Sequence, residues 1–242
     1  MAFWSKKSID PADDKAGYLR QFGSSDLEIL TPYPGGIEPI PEAWERLLNQ
    51  EREPRIAATL LLWEGVVETQ MSNTVAYLRA HLTDVELLRV DQSYYLLYSL
   101  TNLEGAPRYY VGGNPLRLDF AANQTLRPQW SRLPASLRSF YEDLHDGFYE
   151  FSSRSSGPDS LANVVRMADL EWGIIDQLGL DLQIELTTSY AFFNNGGSGY
   201  VVIDLSSAEE EQATLWWAND APRYGIKFWD LVDDWTVIGI SG

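Results

Sequence analysis

Two histidines, His81 and His145, are the chain's whole supply of imidazole, and there is no cysteine. Nucleophilic catalysis needs a base held beside the nucleophile. His145 closes an amphipathic pattern, where a cation favours the helix dipole or meets solvent, so its expected role is structural. The turn Gly196-Gly197-Ser198-Gly199 approaches the nucleophile-elbow pattern G-x-S-x-G, but Tyr200 takes the final place. Its serine reads as a turn residue. Neither C-x-x-C nor H-E-x-x-H occurs, so no metal site is expected. The P-loop and a strand-linked G-x-G-x-x-G are absent too, and no cofactor is expected. Carboxylates abound, yet Glu150, Asp169, Glu171 and Asp204 show no spacing that singles out the acid pair of a glycosidase. No catalytic residue is expected.

Acidity is the stronger signal. The formal net charge is −17 over 242 residues. Through Thr125 there are 11 Lys and Arg against 17 Asp and Glu; beyond it there are 7 against 18, so the two parts carry −6 and −11. Such a field repels phosphate backbones and anionic membranes and steers basic partners in. The acids cluster as Glu142, Asp143 and Asp146 around one helix, Glu209-Glu210-Glu211 in a loop, and Asp230, Asp233 and Asp234 on the last helix. Charge runs are usually solvated faces. Beside an accessible tryptophan they suit a basic protein partner instead: charge sets on-rate and specificity, buried aromatics set affinity. In Leu215-Trp216-Trp217-Ala218 strand alternation sends the two indoles to opposite faces, one to the core and one outward. The candidate partner-binding residues are Glu209, Glu210, Glu211, Trp216, Asp230, Asp233 and Asp234.

The elements that must position these residues centre on Ala191 to Leu205. There two apolar runs flank Asn194-Asn195-Gly196-Gly197-Ser198-Gly199, a hairpin pattern. Residues 1–30 read as a loosely attached arm. Pro41 opens a short helix carrying Trp44, Leu47 and Leu48. Residues 55–68 fit a buried helix or a strand, with Gly65 and Val66-Val67 favouring helix first and strand after. Ser72 or Asn73 can cap a helix through Leu82. Four strand-like runs follow, Val85–Val90, Tyr94–Leu100, Arg108–Val111 and Leu116–Phe120, as an antiparallel meander with one wet face.

Beyond Leu126, Pro134 opens a helix striped by Leu137, Phe140, Tyr141 and Leu144, and Gly147 can end it. Phe148–Phe151 reads as a short strand, and Ser152–Ser160 as a mobile or partner-facing loop. Helical turns are expected around Leu170–Gly173 and over Leu180–Leu186, and a strand over Thr214–Ala218. In the last helix Phe228, Leu231, Val232 and Trp235 should face inward and the aspartates outward. The fold class is α+β: a twisted, mainly antiparallel sheet flanked by helices, with an additional α+β N-terminal lobe. The expected division is an arm (1–30), that lobe (31–125) and a second domain (126–242). No secretory pattern opens the chain, and its longest apolar stretch, Ala57 to Val67, is too short to span a bilayer, so a cytoplasmic location is expected.

The order LPASLRSFYEDLHDGFYEF, ADLEWGIID, FFNNGGSGYVVIDL and FWDLVDDW resembles the SUKH superfamily, the Smi/Knr-type immunity fold, over residues 126–242. The resemblance implies a non-catalytic α+β domain. It also implies a partner, the C-terminal domain of a cognate bacterial toxin of the kind delivered in contact-dependent competition or type VI secretion, often a nuclease. Gly147, Trp172, Asn195, Gly196, Asp204, Phe228 and Trp229 match positions that build the family's fold. The expected function is occlusion of a basic toxin domain, with no nucleic acid and no membrane as partner. The alternative is a non-catalytic scaffold of the kind found among fungal relatives.

Overall fold

The computed structural model describes residues 14–36, 39–121, 123–173, 175, 179, 181–206 and 211–242. It is an α+β fold of two antiparallel sheets with helices packed on and between them. The first sheet runs β1-β2-β3-β4-β5, from β1 (Leu27–Ile29), β2 (Leu82–Val90), β3 (Ser93–Thr101), β4 (Pro107–Gly113) and β5 (Phe148–Glu150). β2 and β3 are joined through Asp91, whose φ of 54° is the left-handed geometry a tight hairpin turn requires.

The expected fourth strand of the meander, Leu116–Phe120, does not form. Pro115 has no N–H to give a ladder, and the Asn114 side chain accepts the Leu116 N–H at 3.1 Å. That Asx turn starts a 3-10 turn over Pro115–Arg117. The place beside β4 is taken by β5, with Val111 opposite Tyr149.

The meander has no wet face. β3 alternates as expected, with Leu96 and Tyr98 turned to the main core and Leu97 to the other side. That other side is covered by the segment expected to be a loose arm. Its helix α1 (Lys15–Arg20) and β1 place Leu19 and Leu27 against Leu88, Leu97, Tyr109 and Phe151. The inner face carries α2 (Glu42–Leu48), α3 (Arg52–Val67) and α4 (Ser72–His81). α3 is one uninterrupted helix. Arg55, Thr59, Trp63 and Val67 are buried at a spacing of four, and that helical stripe overrides the β preference of Val66-Val67.

Beyond residue 126, α5 (Ala135–Ser139) passes into a π-helical turn over Phe140–Leu144, with Leu137, Phe140, Tyr141 and Leu144 buried as the stripe predicts. The second sheet runs β11-β10-β9-β8-β6, with β7 also on β8. Its strands are β6 (Gly157–Pro158), β7 (Val165–Arg166), β8 (Ser189–Asn194), β9 (Gly199–Asp204), β10 (Gln212–Trp217) and β11 (Asp220–Lys227). β8 and β9 form the expected hairpin. Its turn uses positive φ at Gly196 and Ser198, and Asn195 Oδ1 accepts the N–H groups of Gly197 and Gly199 at 2.8 and 2.9 Å. Residues 152–160, expected to be mobile or partner-facing, are built into this sheet through β6, with Ser155, Asp159 and Ser160 buried. No helix forms among the described residues between 181 and 186.

The final helix, α6 (Phe228–Ser241), lies across the second sheet and against α4. One continuous core joins Trp44, Trp63 and Tyr98 to Phe148, Phe192 and Phe228. The division expected after residue 125 therefore runs through a shared core, and β5 carries the later part of the chain into the first sheet. No helix among the described residues is long and apolar enough to cross a membrane.

Candidate partner-binding surface

α6 decides which acids face solvent. Phe228, Trp229, Val232, Thr236 and Ile240 are buried, and Asp230, Asp234 and Ile238 are exposed at i, i+4 and i+8. A spacing of four on a helix puts these three side chains in one row. Asp233, expected to face outward with them, is only 4% exposed.

The cause of that inward turn lies on α4. Met71, at the N-cap of α4, offers no side-chain acceptor to the free N–H groups of the first turn. Asp233 supplies it from α6: one carboxylate oxygen accepts the Asn73 N–H at 2.9 Å, the other the Thr74 N–H at 2.8 Å and the Thr74 hydroxyl at 2.7 Å. The expected cap, Ser72 or Asn73, is replaced by one from about 160 residues away. Asp233 is thus a clamp between helices and has no free oxygen face to offer a partner.

Glu211 meets the same surface from the other direction. Its backbone carbonyl accepts the Phe228 N–H at 2.9 Å, which ties it to the start of α6. Its carboxylate accepts the Ser136 hydroxyl at 2.6 Å, while Ser136 Oγ accepts the Trp229 indole N–H at 2.9 Å. Glu211 and Asp230 consequently line one cleft of about 330 Å³ with Thr69, Gln70 and Lys227. Glu209 and Glu210 lie outside the described residues.

One turn further along α6, Asp234 borders a shallow groove of about 550 Å³ between α4 and α6. Asn73 Nδ2 donates to its carboxylate at 3.4 Å. Ala76 and Ala80 keep the α4 side of the groove low, and Ile238, 64% exposed, stands on the α6 side. Tyr77 is fixed there by stacking on His81 at 4.2 Å between ring centres and by donating its hydroxyl to the Thr101 carbonyl at 3.0 Å. Desolvation pushes its phenol pKa above the ordinary value, so it remains a neutral donor. The result is a continuous strip, acidic at the start of α6 and apolar toward its end.

Trp216 does not belong to this strip. It is 0% exposed, packed edge-on against Trp172 with ring centres 5.2 Å apart on the opposite side of the second sheet. Alternation holds, but the assignment is reversed: Trp217 is the half-exposed indole, beside Trp235 at 5.8 Å. Of the other acids, Glu142 and Asp143 are exposed and Asp146 is buried.

His145 has the expected structural role, but as a neutral ring fully buried between Trp44, Trp63 and Phe148 and not as a cation at a helix end or a group in solvent. The Trp63 indole donates to the Tyr98 oxygen at 3.0 Å, and the Tyr98 hydroxyl and His145 Nε2 share a hydrogen bond of 2.7 Å. Desolvation lowers the imidazole pKa to about 3, so it is neutral and structural. The residues that sequence reasoning missed, Thr69, Gln70, Ser136, Ala76 and Ile238, carry no chemical signature. Only packing of α3, α4, α5 and α6 brings them to the acids. No protein-family model, no curated protein and no solved structure matches the chain.

Proposed function

We propose that this chain is an immunity protein of the SUKH, or Smi/Knr, type, a cytoplasmic binding module that neutralises a cognate toxin domain by occluding its basic groove. The observation that carries the reading is the row Asp230, Asp234, Ile238 on α6, continued at its acidic end by Glu211. Acid and apolar surface lie side by side, in a chain whose net charge is −17. The acids accelerate encounter with a cationic groove, and the apolar end with Tyr77 and Ile238 supplies contact area that excludes water. A nuclease groove, lined with Lys and Arg for phosphates, is the natural complement. The protein acts by blocking, with no bond-making of its own.

The test is protection of cells against a candidate toxin domain, sought first among the products of neighbouring genes. The chain with Glu211→Lys, Asp230→Lys and Asp234→Lys together is expected to fold normally and lose protection. Full protection by the charge-reversed chain overturns the reading.

A further inference from the structure

A second cleft, of about 570 Å³, opens at the end of the first sheet where β3 begins and β4 ends. Its walls are the start of β3 with Tyr94 and Tyr95, the end of β4 with Gly113 and Asn114, and the turn carrying Arg117 and Asp119. Asp146 lines it from the chain between the π-helical turn and β5. The backbone there is fixed. Asp146 N–H donates to the Gly113 carbonyl at 3.0 Å, and Gly113 N–H donates to the Gly147 carbonyl at 3.1 Å. A Cβ on Gly113 would lie 2.3 Å from the Asp146 carbonyl oxygen, so only glycine permits the approach.

Asp146 is 9% exposed, and among the described residues its carboxyl holds one partner, the Leu161 N–H, accepted by Oδ1 at 2.8 Å. Among the described residues its Oδ2 has no protein partner. Asparagine would accept the Leu161 N–H equally well without the cost of burying an acid, so that bond does not account for a carboxyl here. A second acid, Asp119, stands on the rim, and Tyr95, whose phenol feels the Asp146 charge, supplies an aromatic wall, while Tyr94 lines the mouth with its ring turned to the opposite face of the sheet. A desolvated carboxylate with aromatic neighbours is the environment that favours an organic cation.

We propose that this cleft binds a small organic cation, an alkylammonium or guanidinium group, with Asp146 as its counter-ion, Asp119 as the outer acid and Tyr95 against its alkyl part. Among the described residues, Asp119 and Arg117 stand near Asp146 from the rim, Tyr95 from β3, Tyr149 from β5 and Tyr141 from the π-helical turn, and Arg154 and Asp159 act on those same tyrosines. Arg117 is itself engaged, and burial raises the phenols of Tyr95, Tyr141 and Tyr149, which are neutral at pH 8. Desolvation, with Asp119 adding to it, pushes the Asp146 pKa up to about 7, so the empty cleft holds a half-protonated acid near neutrality. A bound cation draws off that proton.

Calorimetric titration of the full chain with agmatine and putrescine tests this, with 1,4-butanediol as the uncharged counterpart of putrescine. Agmatine is expected to bind about thirty-fold more weakly at pH 5.5 than at pH 8, the ratio of ionised Asp146 at the two values. Butanediol is expected not to bind. Asp146→Asn, which keeps the acceptor for Leu161, is expected to lose at least about tenfold in affinity, and Asp119→Asn less. If the natural occupant is a free amine, agmatine leaves association with a protein partner unchanged. If it is a Lys or Arg side chain of that partner, agmatine competes with association. Equal binding of putrescine and butanediol, or agmatine affinity unchanged by pH and by Asp146→Asn, overturns the proposal. The titration uses the chain alone, so its failure leaves the acidic strip on α6 standing.

Discussion

Replacing Asp233 by alanine should cost far more stability than any other change among the acids of α6. The carboxylate accepts two backbone N–H groups and one hydroxyl at the start of α4. Thr74 is completely buried, so water cannot replace what is lost. A lost N-cap costs about 1 kcal/mol, and leaving a buried donor without a partner adds about 1–3 kcal/mol. Asp233→Ala is therefore expected to lose about 3 kcal/mol. Asp233→Asn retains one acceptor oxygen but turns an amide N–H₂ toward a backbone donor, and should lose about half as much. Asp234→Ala removes only an exposed contact at 3.4 Å and should stay within about 0.5 kcal/mol of the parent. Urea unfolding gives all three values. Hydrogen exchange at Thr74 adds a local readout, since loss of the clamp should speed it before global unfolding. Parental stability for Asp233→Ala, or equal losses for Asp233→Ala and Asp234→Ala, refutes the reasoning.

Other expectations concern buried titratable groups and tight packing. Asp159 is buried and accepts from Asn194 Nδ2 at 2.7 Å, and desolvation raises its pKa to about 7. A folded-state pKa above the unfolded value of about 3.9 means stability is full below that value and falls as pH rises through about 7. Asp159→Asn should flatten that loss, gaining up to about 4 kcal/mol relative to the parent between pH 4 and pH 8, measured by urea unfolding. His145 works in the opposite sense. With its pKa lowered to about 3, its contribution is full above the unfolded value of about 6.5 and is lost as pH falls toward 3. Its ring resonances should stay those of neutral imidazole down to pH 5 in an NMR titration. Gly112→Ala would put a Cβ 2.4 Å from the His145 ring, which aromatic neighbours hold in place. It should cost at least about 1–3 kcal/mol, seen as a lower urea midpoint. Trp216→Ala should be destabilising by about 3–5 kcal/mol, whereas Trp217→Ala should be milder, because only Trp216 is fully enclosed.

What the chain discloses about itself follows from the range of the interactions involved. The β8–β9 hairpin was legible because Asn195, Gly196 and Ser198 fix its turn locally. The apolar stripes of α5 and α6 were legible by period. β11 was not: Asp220–Lys227 has no apolar run, includes Pro222, and becomes a strand only by pairing with β10. The N-terminal segment looked detachable because Leu19 and Leu27 gain their meaning from Leu88 and Leu97, far along the chain. Charge alone marked Glu211, Asp230 and Asp234. It could not separate them from Asp233, whose inward turn is set by an unfilled helix start on α4. Asp146 sat among Glu142 and Asp143 as one more acid. Its burial depends on Gly113 approaching from another strand.

The most direct measurement of the proposed function is the association rate of the chain with a candidate basic toxin domain, taken by stopped flow across ionic strength. The acidic strip predicts a rate that falls steeply with salt, and a further drop of at least about tenfold at low salt when Glu211, Asp230 and Asp234 are all changed to lysine. A rate insensitive to salt and equal for the parent and the charge-reversed chain contradicts the account.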